Sequence, residues 1–326
     1  MREALFIKKN KDKWTRIQHL PASDADEMAE DFTELVNDLA YAKTFYPSSK
    51  ITRFINGQAS RIYLKIFRNK KEEANRIFNF WKIDLPLIVR KYHKVIFFTA
   101  VLFSLFCLVG FFSSKHDEHF TRFVLGDGYV DKTIQNIEDG NPFGIYQSEG
   151  PVITWLEIMF NNLRVAIKYF FEGIVFGIFT IRSVIAFGVT VGVFYEIFFS
   201  RGLGLDWGLA VMIHGTLELW SFVISSTAGI ILGMGFLFPG TRGRIDSFKK
   251  AAKDGVKLLV GILPFYIVAS FFEGFVTRYY KMHWALNLLI LLSSLALIIW
   301  YFIIYPIRLS KKLSTVEKKP SGNDPV

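Results

Sequence analysis

The sequence predicts an all-helical membrane protein, a polytopic bundle of about six transmembrane helices behind an amino-terminal soluble helical region. Three observations carry that prediction. Hydrophobic residues make up 51% of the chain and aromatics 17%, with 34 phenylalanines among 326 residues. Even with glycine left out of the count, this exceeds the usual apolar share of a soluble domain. Apolar runs of membrane-spanning length recur from residue 95 onward, whereas residues 1–93 show amphipathic helical spacing. In a chain this apolar the net charge of +10 marks cytoplasmic loops rather than a nucleic-acid-binding face.

Residues 1–93 read as a cytoplasmic helical region. The start, MREALFIKKNKDKW, has no apolar stretch behind its charges, so no cleavable signal peptide is read there. Ser23 is a good N-cap, with acids in the turn that follows, and Met28, Phe32, Leu35, Leu39 and Phe45 recur at helical spacing. A further helix restarts after Pro47, capped by Ser48 or Ser49. A third segment carries Trp81 and several cations toward the membrane. A cytoplasmic partner is the secondary expectation for this region.

Residues 94–306 form the predicted transmembrane domain. Its spans are 95–112, 166–181, 183–199, 207–238, 255–276 (with Pro264 as a kink) and 284–305. The fourth run has 32 residues and would be about 48 Å long as one helix, against a hydrocarbon core of about 30 Å. It could tilt, break near Trp220 or protrude. Charge favours a single crossing. The stretch 240–257 carries six Lys/Arg and the tail from Arg308 five, whereas loop 113–153 has three cations and seven acids. Both termini are therefore expected in the cytoplasm and the loop outside. The tail 307–326 is expected to be disordered beyond Pro320.

In loop 113–153, Gly126, Gly128, Gly140 and Pro142 are turn formers with aromatics between them, which predicts a folded loop. Asp127, Asp131, Glu138 and Asp139 do not match the spacing of an EF-hand and are read as solvated acids. One cysteine, Cys107, excludes an internal disulfide and a cysteine-based zinc cluster.

His214 and Glu218 stand four residues apart in the fourth run, so a helix puts them on one face. Ser221 or Phe222, Ser225, Gly229 and Gly233 continue that face from polar to small, which turns it toward other helices. Glu172, Glu196 and Glu273 are candidate companions in other spans. Ionisable groups at this depth face a bundle interior or a wet cavity, so a shared polar pocket opening outward is expected. As a metal site, His214 and Glu218 alone offer too few ligands, and HExxH is absent. Transporter carboxylates and a hydrogen-bonded structural knot are the other readings. Gly173, Gly177, Gly188, Gly192 and Gly215, with Gly229 and Gly233, are expected at helix contacts. The Gly188–Gly192 pair would permit a homodimer. No GxSxG, Walker A or dinucleotide fingerprint is present, and no cofactor is called for.

The stretch MIHGTLELWSFVISSTAGIILGMGFLFPG, with IMFNNLRVAIKYFFEGIVFGI and SFFEGFVTR, resembles the stage II sporulation protein M family of integral membrane proteins. The resemblance maps onto His214, Gly215, Glu218, Gly229 and Gly233, and adds Asn162 and Glu273. It departs from the family at Phe187–Gly188, where many members have Asn-Gly, and at residues 1–93, which the shorter sporulation protein lacks. What it implies is a multi-pass protein of the cytoplasmic membrane that anchors and organises peptidoglycan-remodelling or other envelope partners. Loop 113–153 is the expected contact, and no chemistry of the chain's own is implied. The runner-up reading is a small ion- or proton-coupled transporter or channel using Glu172, Glu218 and Glu273. An intramembrane metallohydrolase using His214 and Glu218 is third.

Overall fold

The computed structural model describes residues 2–19, 25–68, 76–142, 150–277 and 282–317. Ser23 and the tail beyond Pro320 lie outside them. Every regular element among the described residues is a helix, eleven in all. The chain divides into two compact units, Met1–Ile77 and Phe78–Val326.

The first unit holds α1 (Glu3–His19), α2 (Ala25–Phe45) and α3 (Lys50–Arg68). Their apolar faces meet in a core of Phe6, Trp14, Ile17, Leu35, Ala42, Ile55 and Ala59. Polar ties surround it. Trp14 Nε1 donates to Asp38 at 2.8 Å, Lys13 pairs with the same carboxylate at 2.7 Å, and Arg16 pairs with the buried Asp31 at 2.5 Å.

The second unit crosses the membrane. It comprises α4 (Arg76–His116), α5 (Glu118–Leu125), α6 (Asp127–Glu138), α7 (Pro151–Glu172), α8 (Ile178–Phe199), α9 (Gly204–Leu237), α10 (Arg244–Val276) and α11 (Trp284–Thr315). Five of these, α4 and α8 to α11, are long and apolar enough to span. α7 is not among them, and its Glu157, Arg164, Lys168 and Glu172 set it apart in composition.

α9 is the hub, packed against α4, α7, α8, α10 and α11. It is one continuous helix of 34 residues, so the long fourth run is unbroken at Trp220. The predicted second span, 166–181, is corrected. α7 ends at Glu172 and α8 starts at Ile178, with Phe176 (φ 55°) and Gly177 (φ 77°) left-handed between them. The apolar run continues through the break, which is why hydropathy misses it. The turn fits against α9 because Gly229 and Gly233 have no side chains. A Cβ on either would overlap the backbone or Thr180 of the 169–180 stretch.

Gly188 and Gly192 face α4 of the same chain, where a Cβ on Gly188 would come 2.8 Å from the Phe103 carbonyl oxygen. That small face is therefore used inside the molecule. Elsewhere, α4 is tied to α10 by Asp254, which accepts from Lys91 at 2.5 Å and Tyr92 at 2.8 Å. A π turn at Phe80–Asp84 releases carbonyls that tyrosines of α11 take up. Tyr301 donates to Trp81 O at 2.7 Å and Tyr305 to Lys82 O at 2.8 Å.

Loop 113–153 is folded where described. Asp117 caps α5 by accepting from His119 N at 2.9 Å. Val130 of α6 is buried with Ile197, Phe198, Trp207, Ala210 and Val211, which fastens the two short helices to the ends of α8 and α9. Arg122 gathers Asp131 at 2.8 Å, Asp127 at 3.4 Å and Glu118 at 3.3 Å on an exposed surface. Those acceptors hold its guanidinium above the usual arginine range.

Candidate functional site

A cavity of about 460 Å³ runs from α5 and α6 down between α8, α9 and α10. Leu125 and Tyr129 form its mouth, Phe187, Thr190 and Phe194 one wall, and His214, Glu218 and Glu273 its polar side. Two local features place these groups. The α9 helix sets His214 and Glu218 one turn apart on a single face. In α10 the backbone widens to a π turn at Phe272–Val276, which carries Glu273. Such turns often sit at functional sites because they re-aim a side chain without ending the helix.

His214, Glu218 and Glu273 each present one donor atom, and the three atoms lie within 4.8 Å of one another. His214 is buried, and the two carboxylates are partly open to the cavity. His214 Nδ1 stands 2.8 Å from Thr277 Oγ1, and that hydroxyl donates to Ala210 O at 3.4 Å. The contact fixes the orientation of the imidazole ring.

Asn162 of α7 approaches Glu218. Its amide nitrogen is buried and has no hydrogen-bond partner among the described residues. The indole N–H of Trp207, also on the cavity wall, is in the same state. Tyr129, at the mouth, has its phenol pushed up by burial and by the nearby negative charge of Glu273.

The structure thus brings together His214, Glu218, Glu273 and Asn162 and leaves two of the expected companions elsewhere. Glu196 is buried near the α5 end, where Ser114 Oγ donates to it at 3.2 Å and also bonds Thr121 at 2.5 Å. Glu172 lies at the far end of α7, accepting from Ser183 at 2.6 Å with Lys168 at 3.7 Å. The single pocket expected for all four acids is corrected on this point. The break after Glu172 puts that residue at a helix end rather than in mid-span. Gly215 lines the cavity, Gly173 packs on Gly229, and Gly177 meets Ile230. Thr277 and Tyr129 escaped the sequence reading. Thr277 stands one helical turn beyond Glu273, a spacing that could have revealed it; Tyr129, in a distant loop, gives no such signal.

Comparisons with known proteins fit this architecture. The family model described as Stage II sporulation protein M matches residues 99–278, from the first membrane span through Thr277. A model described as a domain of unknown function (DUF8413) matches residues 4–68, the three amino-terminal helices. No curated protein and no solved structure matches the chain.

Proposed function

The chain belongs to the stage II sporulation protein M family, and from that premise we propose that it is a multi-pass scaffold of the cytoplasmic membrane, both termini inside, that organises envelope partners, peptidoglycan-remodelling proteins among them. The observation that supports a partner-binding role is the outer face of α7. Glu157, Asn161, Arg164 and Lys168 are exposed and recur at helical spacing along it. This helix packs on α10 where Trp155 meets Gly274 and on the hub where Gly173 meets Gly229, and in this reading the stripe lies at membrane depth. An Arg or Lys facing lipid at the centre of a helix costs on the order of 2.5–3.5 kcal/mol. Among the described residues no ion pair covers Glu157 or Arg164. A membrane helix of a partner with complementary polar groups would remove that cost. Helices α5 and α6 and the amino-terminal unit offer further contacts.

A photoreactive residue at Asn161 tests this in native membranes. It is expected to cross-link to a second polypeptide, whereas the same probe at Val101, an exposed apolar position on α4, is expected to yield lipid adducts alone. Identical lipid-only products at both sites would end the reading. Orientation is checked separately in a Cys107→Ser background. Asp131→Cys should react with an impermeant maleimide on intact cells, and Lys250→Cys only after the membrane is opened. The reverse order would invert the topology.

A further inference from the structure

We propose that His214, Glu218 and Glu273 bind one divalent transition-metal ion, of the zinc or manganese class, inside the bilayer at the floor of the α5–α6 cavity. This does not rest on the scaffold reading, and the sequence argument against a metal here counted only two ligands. The π turn of α10 supplies the third.

Geometry is the first support. For three donor atoms no more than 4.8 Å apart, a point exists within about 2.8 Å of all of them. Zinc–nitrogen and zinc–oxygen bonds run to roughly 2.0–2.2 Å. Rotation of the two carboxylates about their terminal torsions, which have broad minima, closes that gap without moving a helix. The second support is the imidazole. Thr277 Oγ1 lies 2.8 Å from Nδ1 and fixes the orientation of the ring. A ring nitrogen fixed by an outer hydrogen bond is the usual dress of a ligating histidine.

Asn162 is the third and independent support. It is buried, and its amide faces Glu218 without closing a hydrogen bond of full geometry to it. With Glu218 bound to a cation through one oxygen, that amide donates to the carboxylate and holds it in place. Charge points the same way. Two carboxylates face each other here, and no lysine or arginine among the described residues pairs with either. A divalent cation that displaces their protons balances both. One nitrogen and two oxygens favour a first-row ion over magnesium or calcium, which prefer oxygen throughout. Water in the cavity supplies the remaining positions, and the cavity provides the route of entry.

The test uses the full chain, purified in lipid nanodiscs, stripped with chelator and titrated with zinc. Bound metal is counted after desalting, and cobalt(II) is added in parallel for its d–d absorption. We expect one zinc per chain and tetrahedral or five-coordinate cobalt bands. Glu218→Gln, Glu273→Gln and His214→Gln should each weaken binding at least 100-fold, and Asn162→Leu 10- to 100-fold. Glu172→Gln, outside the cluster, should bind as wild type does. Folding of each variant is followed by tryptophan fluorescence. Absence of saturable one-to-one uptake by the wild-type chain overturns the proposal whether or not any variant folds. So does wild-type affinity in His214→Gln, which would assign the metal to exposed histidines such as His116 and His119. Displacement of zinc by a tenfold excess of magnesium would also overturn it, because the nitrogen ligand would then contribute nothing.

Discussion

Replacing Gly192 with alanine is expected to destabilise the membrane bundle by about 3 kcal/mol, at the upper end of the range for overpacking. α4 and α8 cross at Gly110, Gly188 and Gly192, and the approach is between backbones. A Cβ at position 192 would overlap the Cys107 carbonyl oxygen and come 2.8 Å from Phe111 N. Neither atom can swing away as a side-chain tip would, so relief requires the two helices to part. Parting them loosens a dry contact that has no hydrophobic effect to restore it in lipid, where association rests on close packing. Thermal unfolding in detergent, followed by intrinsic fluorescence, measures the loss. Gly208→Ala is the matched control. That glycine lies within α9 with nothing within 4 Å of an added methyl. It should leave stability unchanged or raise it by roughly 0.5–1 kcal/mol. Coincident melting of Gly192→Ala and wild type would show that the helices do not meet as described.

The second large effect is expected in the amino-terminal unit. Trp14 is only 2% exposed, stacks edge-on against Phe6 at 5.4 Å and donates to Asp38. Trp14→Ala removes the largest side chain of a core built from seven residues and withdraws one of the two donors that Asp38 has. Truncations of this kind cost about 3–5 kcal/mol. A small domain holds about 5–15 kcal/mol in total, so the variant spends most of its time near the unfolding threshold. Hydrogen exchange on the full chain should show protection lost across α1, α2 and α3 while α9 stays protected. Unchanged protection in those three helices would mean that the indole is not part of their core.

Much of this molecule is legible in its residues, and the failures have physical causes. The spans of α4, α9, α10 and α11 announce themselves because uninterrupted apolar length is what a bilayer demands. The shared face of His214 and Glu218 follows from helical periodicity alone. Glu273 is identifiable as a companion, yet the widened backbone that aims it leaves no mark on hydropathy. The stretch Gly173–Gly177 reads as mid-span because Ile174, Val175 and Phe176 are as apolar as any core helix. The cue was the glycine pair, of which Gly177 takes the left-handed conformation together with Phe176. Glu172 and Glu196 could not be assigned from sequence, since depth along a helix says nothing about which neighbour lies opposite.

The central position of α9 has a consequence for biosynthesis. It is the most enclosed of the five apolar spans and the least hydropathic of them. A ribosome delivers such segments one at a time, and each meets lipid before it meets later neighbours. When α9 emerges, Asn162 has already been made, but Glu273 and Thr277 have not. The imidazole and the carboxylate therefore enter hydrocarbon with half their final company, and an ionisable group there costs on the order of 2.5–3.5 kcal/mol. Synthesis of the next forty or so residues is the interval in which the nascent chain is most open to ejection or to membrane quality control.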